Sequence, residues 1–574
     1  MSMATQHVRQ TLQPPRGLSA VLDYAGASHR RAGIVLIVFC LIAFLPGFFQ
    51  IPPVDRDEAR FAQATKQMLE TGQYVDIRFQ EEVRYKKPVG IYWLQAVAVK
   101  AGEAVGIPQA RTTIWLYRLP SLFAAIGAVL LTYWTALAFV GRRTALLAAL
   151  MMASCVLIGV EARLAKTDAT LLFTCVAAMG AMARIYLMQR RTPEREVGWK
   201  LPAILWTAMA AGVLIKGPLV LMFVGLTALT LSIADRSARW LWALRPAAGL
   251  AWLVLLVLPW FVAIVVKSGG SFITQSVGED MLAKVFGGQE SHGAPPGFYF
   301  ALFWVTFWPG SILAGVAAPR IWQARREPGA RFLLAWLLPS WAVFEIVMTK
   351  LPHYVLPLYP AIAILIAGIL EGGGLYNKRW LVRGTVTWFV FPAVIAIGVV
   401  VLFVIVGRGL GLIAWPFAAA AAIFGLFAWW LYNVDGPERA LLRGMVASVL
   451  VAITVYAVTF PSLPALFPSA LIADELRISG CTAPRVASTG YYEEPSLVFL
   501  LGTDTRFTDG AGAAEFLRGG PCRFALVDTR SERSFVQRAD AVGLRYAVSQ
   551  RVDGYNISIG RQVMLTVFRS TEKP

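Results

Sequence analysis

Apolar residues run along most of this chain in blocks close to the roughly 20 residues that a helix needs to cross a hydrocarbon layer. About thirteen blocks of this kind can be marked, at residues 32–51, 119–140, 144–160, 169–188, 201–215, 218–234, 247–266, 298–318, 332–348, 355–370, 384–406, 412–431 and 445–466. The run 91–107 differs, because Lys100, Gly102 and Glu103 interrupt it; it reads as a helix lying in the membrane interface. The expectation is a mainly α, polytopic integral membrane protein of about thirteen transmembrane helices.

The polar connections sort by charge. With the N-terminus inside, one side carries Arg142/Arg143, Arg190/Arg191/Arg195/Lys200, Arg236/Arg239/Arg245, Arg320/Arg325/Arg326/Arg331, Lys378/Arg379/Arg383 and Arg439/Arg443. Every one of these loops is basic, as the positive-inside rule requires. The basic segment 1–31 then reads as a retained cytoplasmic tail with no cleaved leader, and 32–466 as the membrane domain. An odd number of crossings leaves residues 467–574 outside. The outer face also receives a long first loop, 52–118, and a second, 267–297.

Composition agrees with this reading. The chain is 57% hydrophobic and only 15% charged, with a mean hydropathy of +0.59, which a soluble protein could not sustain. The net charge of +19 is accounted for by membrane orientation and anionic phospholipid, so no nucleic-acid partner is expected. Cys40, Cys155 and Cys175 fall in apolar runs and read as small buried hydrophobes. Cys481 and Cys522 lie in the polar tail, and one disulfide would join them if the tail is in an oxidising compartment; spacing alone does not fix that geometry. In the tail, Arg485–Ser488, Ser496–Leu501, Phe524–Val527 and Val563–Phe568 are short apolar runs separated by Gly/Asp-rich turns and by a helical Ala513–Leu517. They suggest a small α/β domain acting as a cap or docking surface.

Candidate chemistry gathers on the outer face. Asp57 and Glu58 open a segment whose apolar positions, Phe61, Ala64 and Met68, recur at helical spacing. The plain reading is a capped interfacial helix, with its acids favouring the helix dipole; the sharper one is that Asp57 points into an outward cavity. Arg84, Tyr85, Lys86 and Lys87 close the same loop, and Asp168 stands at the next outer connection. Lys, Arg and Tyr also collect at membrane boundaries as anchors. His353 beside Tyr354, His292 in a Gly/Pro-rich loop and the nearby Glu82 offer donors for a divalent ion, without any metal-ligand spacing. Glu345 lies inside a span and needs a partner there.

Taken in order, Asp57-Glu58-Ala59-Arg60-Phe61-Ala62, the stretch from Arg84 to Trp93, Leu164-Ala165-Lys166-Thr167-Asp168-Ala169, Ile215-Lys216-Gly217-Pro218 and the stretch from Lys350 to Pro360 resemble the polyprenyl-phosphate-sugar glycosyltransferases of the GT-C fold. Within them the chain is most similar to the bacterial branch that transfers 4-amino-4-deoxy-L-arabinose to lipid A. The resemblance implies a monomer in the inner membrane whose periplasmic face moves that sugar from undecaprenyl phosphate to a lipid A phosphate. Such transfer reduces envelope negative charge and gives resistance to polymyxin and cationic peptides. It implies Asp57 and Asp168 as catalytic residues and Arg60, Lys87 and Tyr354 as phosphate ligands, with Tyr85, Arg84, Lys350 and Glu58 as further substrate-binding neighbours. A cofactor is not implied with certainty; a divalent ion at His353, His292 and Glu82 stays open. Transfer of a hexose from a polyprenyl phosphate to protein or to another envelope glycan is the rival enzymatic reading. A secondary transporter or flippase is disfavoured, because the charges sit at span ends and the outer loops are long.

Overall fold

The computed structural model describes residues 17–571 except 193, 195, 277–292, 373–374, 376–382, 408, 482 and 491. His292, the basic residues Arg195, Lys378 and Arg379, the N-terminal residues 1–16 and most of the 267–297 loop lie outside the described residues. The chain begins with α1 (Leu18–Gly26) and α2 (His29–Phe44), followed by the outer helix α3 (Asp57–Thr71), a two-stranded hairpin of β1 (Arg78–Phe79) and β2 (Glu82–Val83), and α4 (Gly90–Ala104). Next come α5 (Ile114–Ala136), α6 (Arg142–Ser154), α7 (Val156–Glu161), α8 (Asp168–Arg191), α9 (Lys200–Lys216), α10 (Leu219–Ala234) and α11 (Pro246–Ser268).

Among the described residues, eight helices are long and apolar enough to cross a membrane: α5, α8, α11 and the segments 328–346, 352–371, 384–407, 412–430 and 437–459. The other apolar runs fall short of that length. α2, α9 and α10 have 16, 17 and 16 residues, α6 and α7 are parted at Cys155, and Phe298–Thr306 is parted from Ser311–Gln323. The interruptions explain why counting apolar residues gives about thirteen runs while helix length gives eight. α4 is 15 residues long and packs against α3, α5 and α9.

Burial distinguishes the helices. In α8, 83% of the spanning window is buried, because Ala, Gly and Met on all sides let α5, α9 and α10 approach. In α11 and the 384–407 helix only 17% is buried, so Leu255, Val262, Val394 and Ile397 face outward, as lipid contact allows. α1 lies in the segment read as a polar tail, yet it buries Leu22 and Ala25 against α6 and α2.

Two arginines fix the outer end of the bundle. Arg118, in the first turn of α5, is 1% exposed. Its guanidinium donates to both carboxylate oxygens of Glu58, each at 2.8 Å, and to the carbonyls of Phe48, Ile51 and Pro52 at 3.1, 2.8 and 3.0 Å. Glu58 also accepts from the backbone N–H groups of Val54 and Ala165, both at 2.9 Å. Arg163 donates to the carbonyls of Pro46, Gly159 and Ala43 and stacks 4.3 Å over Tyr456. Together they satisfy carbonyls left open where α2 ends. Glu58 is therefore a structural anchor and not the substrate ligand that the resemblance implies: both its oxygens are occupied by protein.

The C-terminal domain is a five-stranded mixed sheet in the order β4-β3-β5-β7-β6, from β3 (Arg485–Thr489), β4 (Arg506–Thr508), β5 (Arg523–Asp528), β6 (Tyr546–Asn556) and β7 (Arg561–Ser570). β3 pairs in parallel with β4 and β5, while β7 is antiparallel to both β5 and β6. The apolar run at 496–501 is not a strand. Pro495 sets the first turn of a helix, Pro495–Leu501. Cys481 and Cys522 are joined by a disulfide, with Cα atoms 5.8 Å apart.

Titration of the denatured, unreduced protein is expected to find three thiols, those of Cys40, Cys155 and Cys175; five would contradict the bridge. Glu58→Ala, which strands the buried Arg118 charge, is expected to cost about 3–5 kcal/mol of stability. Asp57→Asn, one residue earlier and exposed, should stay within about 0.5 kcal/mol of the parent. Thermal unfolding of the detergent-purified variants checks both.

Candidate active site

Asp57 and Glu58 are neighbours on α3, but a helix turns its side chains by about 100° per residue, so the two point in different directions. With Glu58 locked inward on Arg118, Asp57 is left exposed at the outer surface. Arg60 follows one turn later and is half-buried.

The second carboxylate has very different surroundings. Asp168, 5% exposed, is the first residue of α8 and accepts a hydrogen bond from Lys216 at the outer end of α9. His353 Nε2 lies 3.4 Å from the same Asp168 oxygen and His353 Nδ1 3.7 Å from Glu161. Lys166 Nζ reaches Glu161 at 3.2 Å and Asp168 at 3.8 Å. Four chain segments thus deliver two acids, two lysines and an imidazole to one buried cluster. Burial pushes the Glu161 carboxyl up to about 7 against the pull of Lys166. Burial works against the Lys166 charge as well, yet the Glu161, Asp168 and Asp57 carboxylates hold that ammonium above the usual lysine range.

That influence of Asp57 on Lys166 links the first outer loop to the second. Lys87 closes the circle from the other side, because its charge acts on His353. Lys216 also stands 5.5 Å over the ring of Tyr354, whose ring meets that of His353 edge-on at 5.2 Å. Asp168 and Tyr354, named from the sequence, therefore belong to this cluster, and the charges of Asp57 and Lys87 act on it. Glu161, Lys166 and Lys216 belong to it too and were missed. Lys166 and Lys216 stand within the stretches Leu164–Ala169 and Ile215–Pro218, but only a shared Asp168 brings them together.

The remaining expected ligands have other contacts. Tyr85 is buried, donates to Asp76 at 2.8 Å and packs edge-on against Phe272 at 5.5 Å; it holds its own loop in shape. Arg84 lies 5.2 Å over the ring of Phe61. Lys350 is 4% exposed and donates to the Val347 carbonyl at 2.6 Å, an anchor that turns the chain after the 328–346 helix. Glu345 accepts from the N–H groups of Gly297 and Phe300, at 2.8 and 3.1 Å, so the partner it needs is the start of the Phe298–Thr306 helix. Glu82 is exposed on the hairpin, away from His353. The described residues instead group His353 with Glu161 and Asp168, whose ligand atoms all lie within 4.8 Å of one another.

Comparisons with known proteins bear on this arrangement. Residues 34–270 match the model of the dolichyl-phosphate-mannose-protein mannosyltransferase family. The undecaprenyl phosphate-alpha-4-amino-4-deoxy-L-arabinose arabinosyl transferase of Pectobacterium carotovorum subsp. carotovorum (strain PC1) is 26% identical over 403 residues, 68% of this chain and 66% of its own. The transferase of the same description from Pseudomonas aeruginosa (strain LESB58) is 31% identical over 338 residues, 58% of each chain. The matches thus span less than two thirds of the length of these relatives. Among solved structures, ArnT from Cupriavidus metallidurans in the apo state superposes with a TM-score of 0.70 at 18% identity, over 93% of this chain and 97% of that one. The same protein bound to undecaprenyl phosphate gives 0.70 over 94% and 98%. Over nearly its whole length, then, this chain shares the fold of the ArnT structures from Cupriavidus metallidurans.

Proposed function

We propose that the protein is a membrane glycosyltransferase that moves 4-amino-4-deoxy-L-arabinose from undecaprenyl phosphate to a lipid A phosphate at the periplasmic face of the inner membrane. The observation that carries this reading is the buried cluster of Asp168, Lys166, Lys216, Glu161 and His353, with Tyr354 beside Lys216; the charges of Asp57 and Lys87 act on it. Lipid-linked donors need that chemistry. A phosphate at the membrane surface requires fixed cations and a hydrogen-bond donor, while a sugar bearing an amino group requires an acid.

An oxygen of the acceptor phosphate attacks the anomeric carbon, the bond from that carbon to the donor phosphate breaks, and undecaprenyl phosphate leaves with the electron pair. The acceptor is already anionic, so no base is needed. The charge that grows on the leaving phosphate is met by Lys87, Arg60 and Tyr354, with Lys216 close behind. Placed in a dry, preorganised site, such cations stabilise the transition state more than they would in water. Asp168 is held by Lys216 and Lys166 and orients those cations. Asp57, left exposed, pairs with the ammonium of the sugar.

A monomer with its N-terminus in the cytoplasm and its C-terminal domain in the periplasm fits the basic loops and the disulfide, which persists in an oxidising compartment. The match to the mannosyltransferase family model keeps transfer to a hydroxyl as a second reading. Asp57 would then be the general base. As for a resident metal ion, two ammonium groups already balance Glu161 and Asp168, so we expect transfer to proceed without one.

Mass spectrometry of lipid A from cells with and without the gene should show an added aminopentose only with it; label appearing in protein would favour the second reading. In reconstituted vesicles Asp57→Asn and Asp168→Asn are each expected to lower kcat by about 10²–10³-fold, the scale set by removing one preorganised electrostatic partner. Chelation is expected to leave the rate unchanged. A loss restored by a divalent ion would instead assign that ion to Glu161, Asp168 and His353.

A further inference from the structure

The turn that joins β6 to β7 presents two large apolar side chains outside the C-terminal domain. Ile557 and Ile559 are 52% and 47% exposed, in a hairpin turn of the kind that Gly, Asn, Asp and Ser ordinarily fill. A single exposed apolar residue needs no explanation; two on one rigid turn do. The backbone here is held firmly. The buried Asn556 accepts through its side chain from the N–H groups of Ser558 and Ile559, at 2.9 and 3.3 Å, and donates to Glu494. Gly560, with a φ of +66°, donates to the Asn556 carbonyl at 2.9 Å.

The same hairpin is seated on the helical bundle. Tyr555 packs with Ile51, Phe403 and Leu463, and its hydroxyl donates to the Ile405 carbonyl at 3.4 Å, near the end of the 384–407 helix. Gly554 lies so close to the chain beyond the 437–459 helix that a Cβ there would stand 2.7 Å from Pro468 and 2.9 Å from the Ala465 carbonyl. Arg56, the residue before α3, donates to the Ser558 carbonyl of the turn itself. The turn therefore stands between the loop that carries Asp57 and the end of a span whose window is only 17% buried. The apolar surface of that span continues past its end, since Ile405, Leu410, Leu412 and Ile413 are all exposed. Through Tyr555 and Ile405 the turn adjoins it. Arg56 and Arg561 beside the turn are exposed as well, and cations next to apolar side chains are the pattern of segments that lie in a membrane interface.

We propose that the β6–β7 turn is a membrane-binding tip: Ile557 and Ile559 enter the hydrocarbon edge of the outer leaflet, with Arg56 and Arg561 at the level of the headgroups. The partner is the bilayer, whose acyl chains cover the adjoining span. Apolar side chains gain by leaving water for acyl chains, and a turn fixed in advance by Asn556 loses little conformational freedom in doing so. A protein partner would need a complementary surface, whereas the bilayer is present along the same helix without a break. The inference rests on the membrane class of the chain and not on the sugar or the acceptor.

The test uses the full chain in vesicles of phosphatidylethanolamine and phosphatidylglycerol, without reductant, with a nitroxide attached to Ile557→Cys or Ile559→Cys. Cys40, Cys155 and Cys175 are buried, and Cys481 is bridged to Cys522, so the new thiol takes the label. Gln537→Cys is the aqueous reference. It is exposed on the helix Glu532–Ala541, which packs on the face of the sheet opposite to that of the Pro495–Leu501 helix. Collision with oxygen, which concentrates in hydrocarbon, is compared with collision with a water-soluble nickel chelate. The oxygen-to-nickel ratio is expected to be several-fold higher at positions 557 and 559 than at 537. Adding Ile559→Asp beside the label at 557 should bring its ratio at least halfway back to the reference, because a charge at that depth is costly. Ratios at both tip positions equal to the reference would overturn the proposal. Spin–spin coupling between tip labels that disappears on dilution with unlabelled protein would overturn it too, assigning the turn to a second copy of the chain. Each tip position is read by itself, so if one variant does not fold, the other decides.

Discussion

The outer half of this molecule depends on one buried ion pair. Glu58 and Arg118 are removed from water, which costs several kcal/mol for each charge unless all their hydrogen-bonding capacity is met. Here it is met by each other, by three carbonyls beyond the end of α2 and by the N–H groups of Val54 and Ala165. The pair therefore joins the first outer loop, α5 and the loop before α8, the segments that bear Asp57 and Asp168. Arg163, with carbonyl acceptors and Tyr456 beneath it, closes the same corner. A helical bundle in lipid has few ways to fix the ends of its spans, and cations seated on open carbonyls are one of them.

That rigid corner lets two carboxylates of the same chemistry take different parts. Asp168 is enclosed by Lys216, Lys166 and His353, so its charge is committed to ordering cations. Asp57, in the first turn of α3, is exposed. Its face of the helix continues into Phe61, Ala64 and Met68, all buried, so its place at the helix start, and not a solvent-facing side, leaves it open.

The C-terminal domain completes the arrangement. A surface cap would be expected to touch the membrane domain through a polar, exposed interface. Instead Phe499 enters the core beneath α3, and Gln63, Lys66 and Gln80 spend their side chains on that domain's backbone and hydroxyl groups. The loop that carries Asp57 is thus held on one side by the bundle and on the other by the C-terminal domain.

From the sequence alone came the membrane class and the short apolar runs that become β3, β5 and β7, because hydrophobic period is a local property. The motifs also pointed to Asp57, Asp168, Lys87 and Tyr354. What needed the tertiary structure were properties of pairs far apart in the chain. Glu58 and Tyr85 look like site residues until Arg118 and Asp76 are seen to occupy them. Lys166, Lys216 and Glu161 gain meaning only where they converge on Asp168 and His353. Residues 496–501 read equally as strand or helix, and β6, exposed along much of its length, has too little apolar pattern to show. Partnership across sixty or four hundred residues leaves no periodicity behind, so packing alone decided it.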